Sequence, residues 1–186
     1  MVDEIRAVRA QTDKPFGVDL LTALPERLAD DVDTLIREGA AVFVAGLGVP
    51  RDVIAMCHER GVLVASMCGK VRHALAAVDA GCDLVIAQGT EAGGHTGTVA
   101  TFPLVPQVVD AVGARVPVVA AGGIVDGRGL AAALVLGADG VWVGTRHGSQ
   151  PESGVCTSTA ADRAPAATGT LPAKTDEWVG SVRSTT

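Results

Sequence analysis

The sequence predicts a parallel α/β fold, on three observations. Short apolar runs rich in Val, Ile and Ala recur at 16–21, 41–45, 62–67, 83–88, 116–121 and 140–144. Most are near-continuous instead of alternating, as in strands buried on both faces. Segments of helical period lie between them, and five of these are followed by a glycine. Strand and helix alternating in this way form βα units.

Each element has its own local cause. The first run, 16–21, is followed by 25–38, where Leu28, Val32, Leu35 and Ile36 form one stripe. Pro25 suits the first turn of that helix and Gly39 the residue just past its end. The run 41–45 leads into a helix over 51–60, closed by Gly61. The run 62–67 leads into 70–80, with Val71, Ala74, Leu75 and Val78 on one side and Gly81 after it. After 83–88 comes the one long interval, 89–102, and then a helix over 104–112 ending at Gly113. The run 116–121, a helix over 127–136, Gly137 and the run 140–144 complete the series. A left-handed residue at each helix end turns the chain back toward the sheet, and glycine adopts that conformation without a steric cost. This pattern fits both an open doubly wound sheet and a (β/α)8 barrel, and six units are fewer than a barrel needs.

Composition narrows the function. The 186 residues suit one domain, and 48% hydrophobic content supports a packed core. A net charge of −6 lacks the basic footprint of a nucleic-acid binder, and 3% aromatics with no Tyr leave little on which to stack bases. No apolar run approaches the roughly 20 residues of a membrane span. The opening Met1-Val2-Asp3-Glu4 does not resemble a signal peptide. Cys57, Cys68, Cys82 and Cys156 show no CxxC pair and no metal-ligand spacing, so they read as reduced thiols of a cytoplasmic protein, three of them filling the core, with no metal site. From 147 to 186, Ser, Thr, Ala, Pro and Gly supply 25 of 40 residues. That stretch is expected to be a low-complexity, disordered tail with Trp178 as its anchor.

Ligands of parallel α/β folds gather at the carboxyl ends of the strands. Here those ends are glycine-rich: Gly46-Leu47-Gly48, Gly69, Gly89, Gly122-Gly123 and Gly144-Thr145. The last two turns are the best phosphate candidates, because barrels often bind phosphate on free N–H groups after the final strands. Asp126 reads as a helix N-cap and Arg128 as its salt-bridge partner. A Walker sequence is absent, as is a GxGxxG at a βα turn. The long interval holds His95 between Gly93-Gly94 and Thr96-Gly97, a proton carrier or hydrogen-bond donor at the ligand end. Glu91 serves either as a second acid–base group or to close its loop. His58 and His73 lie on helices and read as solvated.

The strings AQGTEAGGHTG (87–97), PVVAAGGIVDGRG (117–129) and GADGVWVGTR (137–146), with KPFGVDL (14–20) before them, resemble the nitronate monooxygenase family, formerly called 2-nitropropane dioxygenases. The resemblance covers about residues 1–146. It implies a TIM (β/α)8-type barrel, incomplete here with about six βα units, that binds FMN non-covalently over 1–146. Family members use O2 to convert alkyl nitronates to carbonyl compounds and nitrite. NAD(P)H-dependent enoyl-ACP and quinone reductases share similar motifs, so a flavin reductase, or an inactive fragment of such an enzyme, is the alternative. Position by position, the resemblance puts the catalytic base or hydrogen-bond donor on His95. It puts flavin contacts on Asp19, Gln88 and Gly93, and the phosphate turns on Gly122, Gly123, Gly144 and Thr145. Many members carry Asn where Asp19 stands. The implied partners are a small-molecule substrate and O2, with no nucleic acid and no membrane. Relative to the family pattern, the chain starts two strands in and diverges after Arg146. Two exposed sheet edges and a wetted barrel interior are then expected, with self-association through the edges.

Overall fold

The computed structural model describes residues 1–22, 25–46, 48–144 and 181–183. Thr145, Arg146, Trp178 and nearly all of the tail lie outside the described residues. The elements run α1 (Val2–Arg9), β1 (Gly17–Leu20), α2 (Pro25–Arg37), β2 (Val42–Ala45), α3 (Arg51–Glu59), β3 (Leu63–Cys68), α4 (Val71–Ala80), β4 (Leu84–Gln88), α5 (Thr101–Val112), β5 (Val118–Ala121), α6 (Gly127–Val135), β6 (Gly140–Trp142) and β7 (Ser181–Arg183). All strand pairs are parallel, in the order β6-β5-β4-β3-β2-β1-β7.

The choice between barrel and doubly wound sheet is settled by which face the helices cover. Core residues from all six helices, among them Ile5, Leu35, Ile54, Ala74, Val105 and Ala133, join one cluster with Val18, Phe43, Val64, Val85 and Val118. The other face forms a separate cluster made of strand residues alone: Val42, Val44, Ala65, Met67, Ile86 and Ala121. Helices on one face only, with strands in sequential order, make a partial barrel. Register agrees. The pairing path from Leu20 runs through Ala45, Ser66 and Val85 to Val118, entering β1 at its last residue and leaving β5 at its first. A sheet closing around an axis must stagger in this sense.

Two expectations about the missing closure need correction. The edge of β1 is paired, because Gly17–Asp19 align with Ser181–Arg183. β6 pairs only with β5 among the described residues. The centre of the inner face is dry, with Val44 and Ile86 each 1% exposed because the inner side chains pack on one another, whereas Leu63, on the same face at the entrance of β3, is exposed. The most exposed large apolar residues, Val135 and Phe102, lie on helices, and Leu21 and Val125 are exposed in the connections after β1 and β5.

Four of the five predicted helix-ending glycines are left-handed, at Gly39, Gly61, Gly81 and Gly137. Gly113 is the exception: it keeps right-handed angles, and its N–H continues the helical bonding to Val109 O. α5 begins at Thr101, three residues earlier than expected, because a proline within the first helical turn sacrifices no bonded N–H. Asp83 and Asp139, each two residues after a left-handed glycine, make the same clamp. Their carboxylates accept from Val64 N (2.7 Å) and Val118 N (2.9 Å), while their own N–H groups donate to Val64 O and Val118 O. The clamps tie β3 to β4 and β5 to β6 at the strand entrances. Cys57, Cys68 and Cys82 are buried and unpaired.

Candidate functional site

Side-chain alternation decides what the sheet presents inward. Val18 and Leu20 pack toward the helices, so Asp19 points to the inner face. Ile86 belongs to the inner cluster, and Gln88, two residues on, shares its side. Gln88 is 7% exposed at the carboxyl end of β4. Asp19 and Gln88 therefore stand on one face, three strands apart.

The long interval after β4 is folded down by two close approaches. At Gly97, an added Cβ would come within 2.6 Å of Gly69 O, so the loop docks backbone to backbone on the turn between β3 and α4. At Gly89, an added Cβ would collide with Thr101. Thr101 is the second anchor. Its N–H donates to Glu91 Oε2 (2.9 Å) and Oε1 (3.2 Å), and its hydroxyl lies 2.9 Å from Glu91 Oε2, 3.0 Å from Gly122 O and 3.2 Å from Ala121 O. Thr90 N donates to Val99 O (3.0 Å), closing the loop. Glu91 thus serves as the loop-closing group and the cap of α5. Burial pushes its carboxyl up, but hydrogen bonds from Thr101 and Thr90 outweigh that and hold it below the ordinary value.

Held in this way, His95, Thr96 and Gly97 form one side of a cleft of about 380 Å³. Gln88, Ser66, Met67 and Gly69 close its sheet end, and His73, Ala76, Ala77 and Ala80 of α4 form a wall. His95 is exposed on the loop, as is Gly93 at its tip. Two of the predicted site residues, His95 and Gln88, therefore share one cavity. Asp19, Gly93, Gly122, Gly123 and Gly144 do not line it, and Thr145 lies outside the described residues.

The Gly122-Gly123 turn sits at the neighbouring strand end. Both residues have positive φ (+109° and +68°), which side-chain-bearing residues rarely adopt. An added Cβ on Gly122 would meet Thr101 Oγ1 at 2.6 Å, so this turn and the His95 loop share one anchor. Gly123 and Gly144 are exposed, and an added Cβ on Gly144 would meet nothing within 4 Å. Asp126 caps α6, accepting from Arg128 N (2.9 Å) and pairing with Arg128 Nη2 (2.6 Å), which confirms the structural reading of both residues.

His58 and His73 lie on helices and are exposed, as the sequence reading expected, and each also makes a contact that reading did not foresee. His58 Nε2 lies 2.9 Å from Asp83 Oδ2, so it pairs with the β3–β4 clamp. His73 lines the cleft. Its place at the start of the helix after β3, on the ligand side of the sheet, was the signal that sequence reasoning passed over.

The chain is similar to known proteins in both sequence and fold. A sequence model of the family described as "NMO: Nitronate monooxygenase" matches residues 27–170. A Mycobacterium tuberculosis protein named (3aS,4S,5R,7aS)-5-hydroxy-7a-methyl-1-oxo-octahydro-1H-indene-4-carboxyl-CoA dehydrogenase is 47% identical over 150 residues, covering 78% of this chain and 42% of that protein. A Staphylococcus saprophyticus protein named probable nitronate monooxygenase is 42% identical over 141 residues, covering 69% and 39%. The structure of FabK from Thermotoga maritima superposes with a TM-score of 0.72 at 43% identity, covering 78% of this chain and 46% of that one. The chain thus spans less than half the length of each of these three. No helix among the described residues is long and apolar enough to cross a membrane.

Proposed function

The chain belongs to the nitronate monooxygenase family, and on that footing we propose that it carries out FMN-dependent oxidation of alkyl nitronates by O2, giving a carbonyl compound and nitrite. The observation that carries this reading is the meeting of His95 and Gln88 in one cleft at the carboxyl ends of the strands. His95 acts at the substrate, taking a proton from the carbon beside a nitro group or donating a hydrogen bond to a nitro oxygen. Gln88, fixed by burial at the end of β4, orients the ring of the cofactor. The glycine-lined cleft leaves room for a flat ligand, and Thr101 with Glu91 holds the His95 loop against the sheet.

The residues present fit FMN. The N–H groups of the left-handed Gly122-Gly123 turn and of Gly144 would hold its phosphate, with open space at Gly144. Asp19, Gln88 and Gly93 would hold the ring. Bound FMN supplies the electron acceptor and the route to O2.

The second reading, an NAD(P)H-dependent flavin reductase, stays within the oxidoreductase class to which a 47% identical relative named as a carboxyl-CoA dehydrogenase belongs, but that name does not by itself favour it. The visible spectrum of the purified chain comes first. Oxidised flavin bands near one equivalent are expected, followed by nitrite release from ethyl nitronate with O2 uptake. Oxidation of NAD(P)H without nitronate would support the second reading. A colourless chain that takes up no FMN would overturn both. His95→Ala should lower turnover of a neutral nitroalkane, which must first lose its proton, by about 10²–10⁴-fold, the usual worth of a general acid–base group, and should lower turnover of the already deprotonated nitronate less, through the lost hydrogen bond. Unchanged turnover would remove His95 from its assigned role.

A further inference from the structure

His73 stands on the first turn of α4, on the wall of the cleft that His95 overlooks. Its helical position is rigid, since Ala74 beside it is fully buried, whereas His95 sits on a glycine loop. Below it on the same helix the wall is made of Ala76, Ala77 and Ala80, whose short side chains leave the imidazole as the one large polar group on that wall. Arg72 Nε–H donates to His73 Nε2 (3.4 Å), which leaves the Nδ1 position of a neutral ring to carry the donor proton. Burial, then Arg72 and Lys70, lower the affinity of this ring for a second proton, so it stays neutral at neutral pH. The charges nearest in sequence, Lys70 and Arg72, are positive, and no aspartate or glutamate lines the cleft among the described residues.

We propose that His73 is a second substrate-binding imidazole, which with His95 holds the planar two-oxygen anionic end of the substrate in this cleft. The proposal rests on the reading of the cleft as the nitronate site and adds to it a residue on a different element. A neutral N–H donor in a field of fixed positive charge favours an anion without forming a competing ion pair. The same arrangement selects against substrates that are cationic near the reacting carbon.

Nitrite, a planar two-oxygen anion, is the probe. Sodium nitrite titrated into the full chain, with its histidine rings labelled with ¹³C, should move the His73 and His95 ring signals with one shared dissociation constant and leave His58 unmoved. His73→Ala should weaken nitrite binding about tenfold, as for one lost hydrogen bond to an ion. His73→Gln, which keeps an N–H donor, should recover most of that loss. Melting temperatures should match the parent, because the ring is exposed. A His95 signal that moves while His73 stays still would overturn the role of His73 and leave the proposed function standing. Two unmoving signals would overturn both, and unchanged affinity in His73→Ala would overturn the His73 assignment alone.

Discussion

Replacing Gly89 by Ala tests the anchor on which the candidate site depends. The new methyl would lie 2.5 Å from Thr101 Cα and closer still to its nitrogen and hydroxyl. Thr101 has little room to retreat: its N–H is held by both oxygens of Glu91, and its hydroxyl is in reach of Glu91 Oε2, Ala121 O and Gly122 O. Relief therefore requires moving the start of α5 away from the end of β4. Overpacking of this kind costs about 1–3 kcal/mol, and losing one of the Thr101 hydrogen bonds adds about 1 kcal/mol. Together these amount to about 2–4 kcal/mol, a fall in melting temperature of about 5–10 °C for a chain of this length. Gly127→Ala is the matched control. It stands at the first residue of α6, where an added Cβ meets nothing within 4 Å, so the better helix propensity of alanine should hold or raise the melting temperature. Thermal unfolding followed by circular dichroism compares the two variants with the parent. A Gly89→Ala chain melting within about 1 °C of the parent would refute the anchor.

Three further outcomes are expected. The depressed carboxyl of Glu91 stabilises the fold above its ordinary value of 4.5, and that contribution is lost as pH falls through the lower folded value. The melting-temperature gap between the parent and Glu91→Gln should therefore be widest near neutrality and close in acid, and a gap constant down to pH 3 would contradict the assignment. Burial pushes the thiols of Cys57 and Cys68 up to about 11 and that of Cys82 up to about 12. Mass mapping after thiol labelling at pH 8 should find these three unmodified until the chain unfolds, and labelling in the native state would show that the core opens. Asp19→Asn should raise the reduction potential of bound FMN, since a carboxylate beside the ring opposes added negative charge. An unchanged potential would place Asp19 away from the ring.

Much of the architecture was legible because its causes are local. The six apolar runs became β1 to β6 with bounds within two residues of those expected, and left-handed Gly39, Gly61, Gly81 and Gly137 end their helices as expected. Asp126 capping α6 followed from a side chain two residues from its partner N–H. Gly113 misled because a glycine tolerates right-handed angles as readily as left-handed ones. The site was legible in part: His95 stood out between glycines, but His73 looked like any exposed helical residue. Glu91 remained ambiguous between chemistry and loop closure, since its partner Thr101 is ten residues away and the same threonine reaches Ala121 and Gly122 across the sheet.

Period and punctuation, which act over a few residues, were enough to determine that strands and helices alternate, where each turns, and which strand ends carry small residues. Only the tertiary structure decided that α1 to α6 lie on one face of the sheet, that the register staggers into a partial barrel, that β1 is paired with Ser181–Arg183, and that His73 joins His95 and Gln88 around one cleft. Each of these depends on contacts between residues far apart in the chain, and such contacts form through burial and close approach, which leave no periodic trace in the sequence.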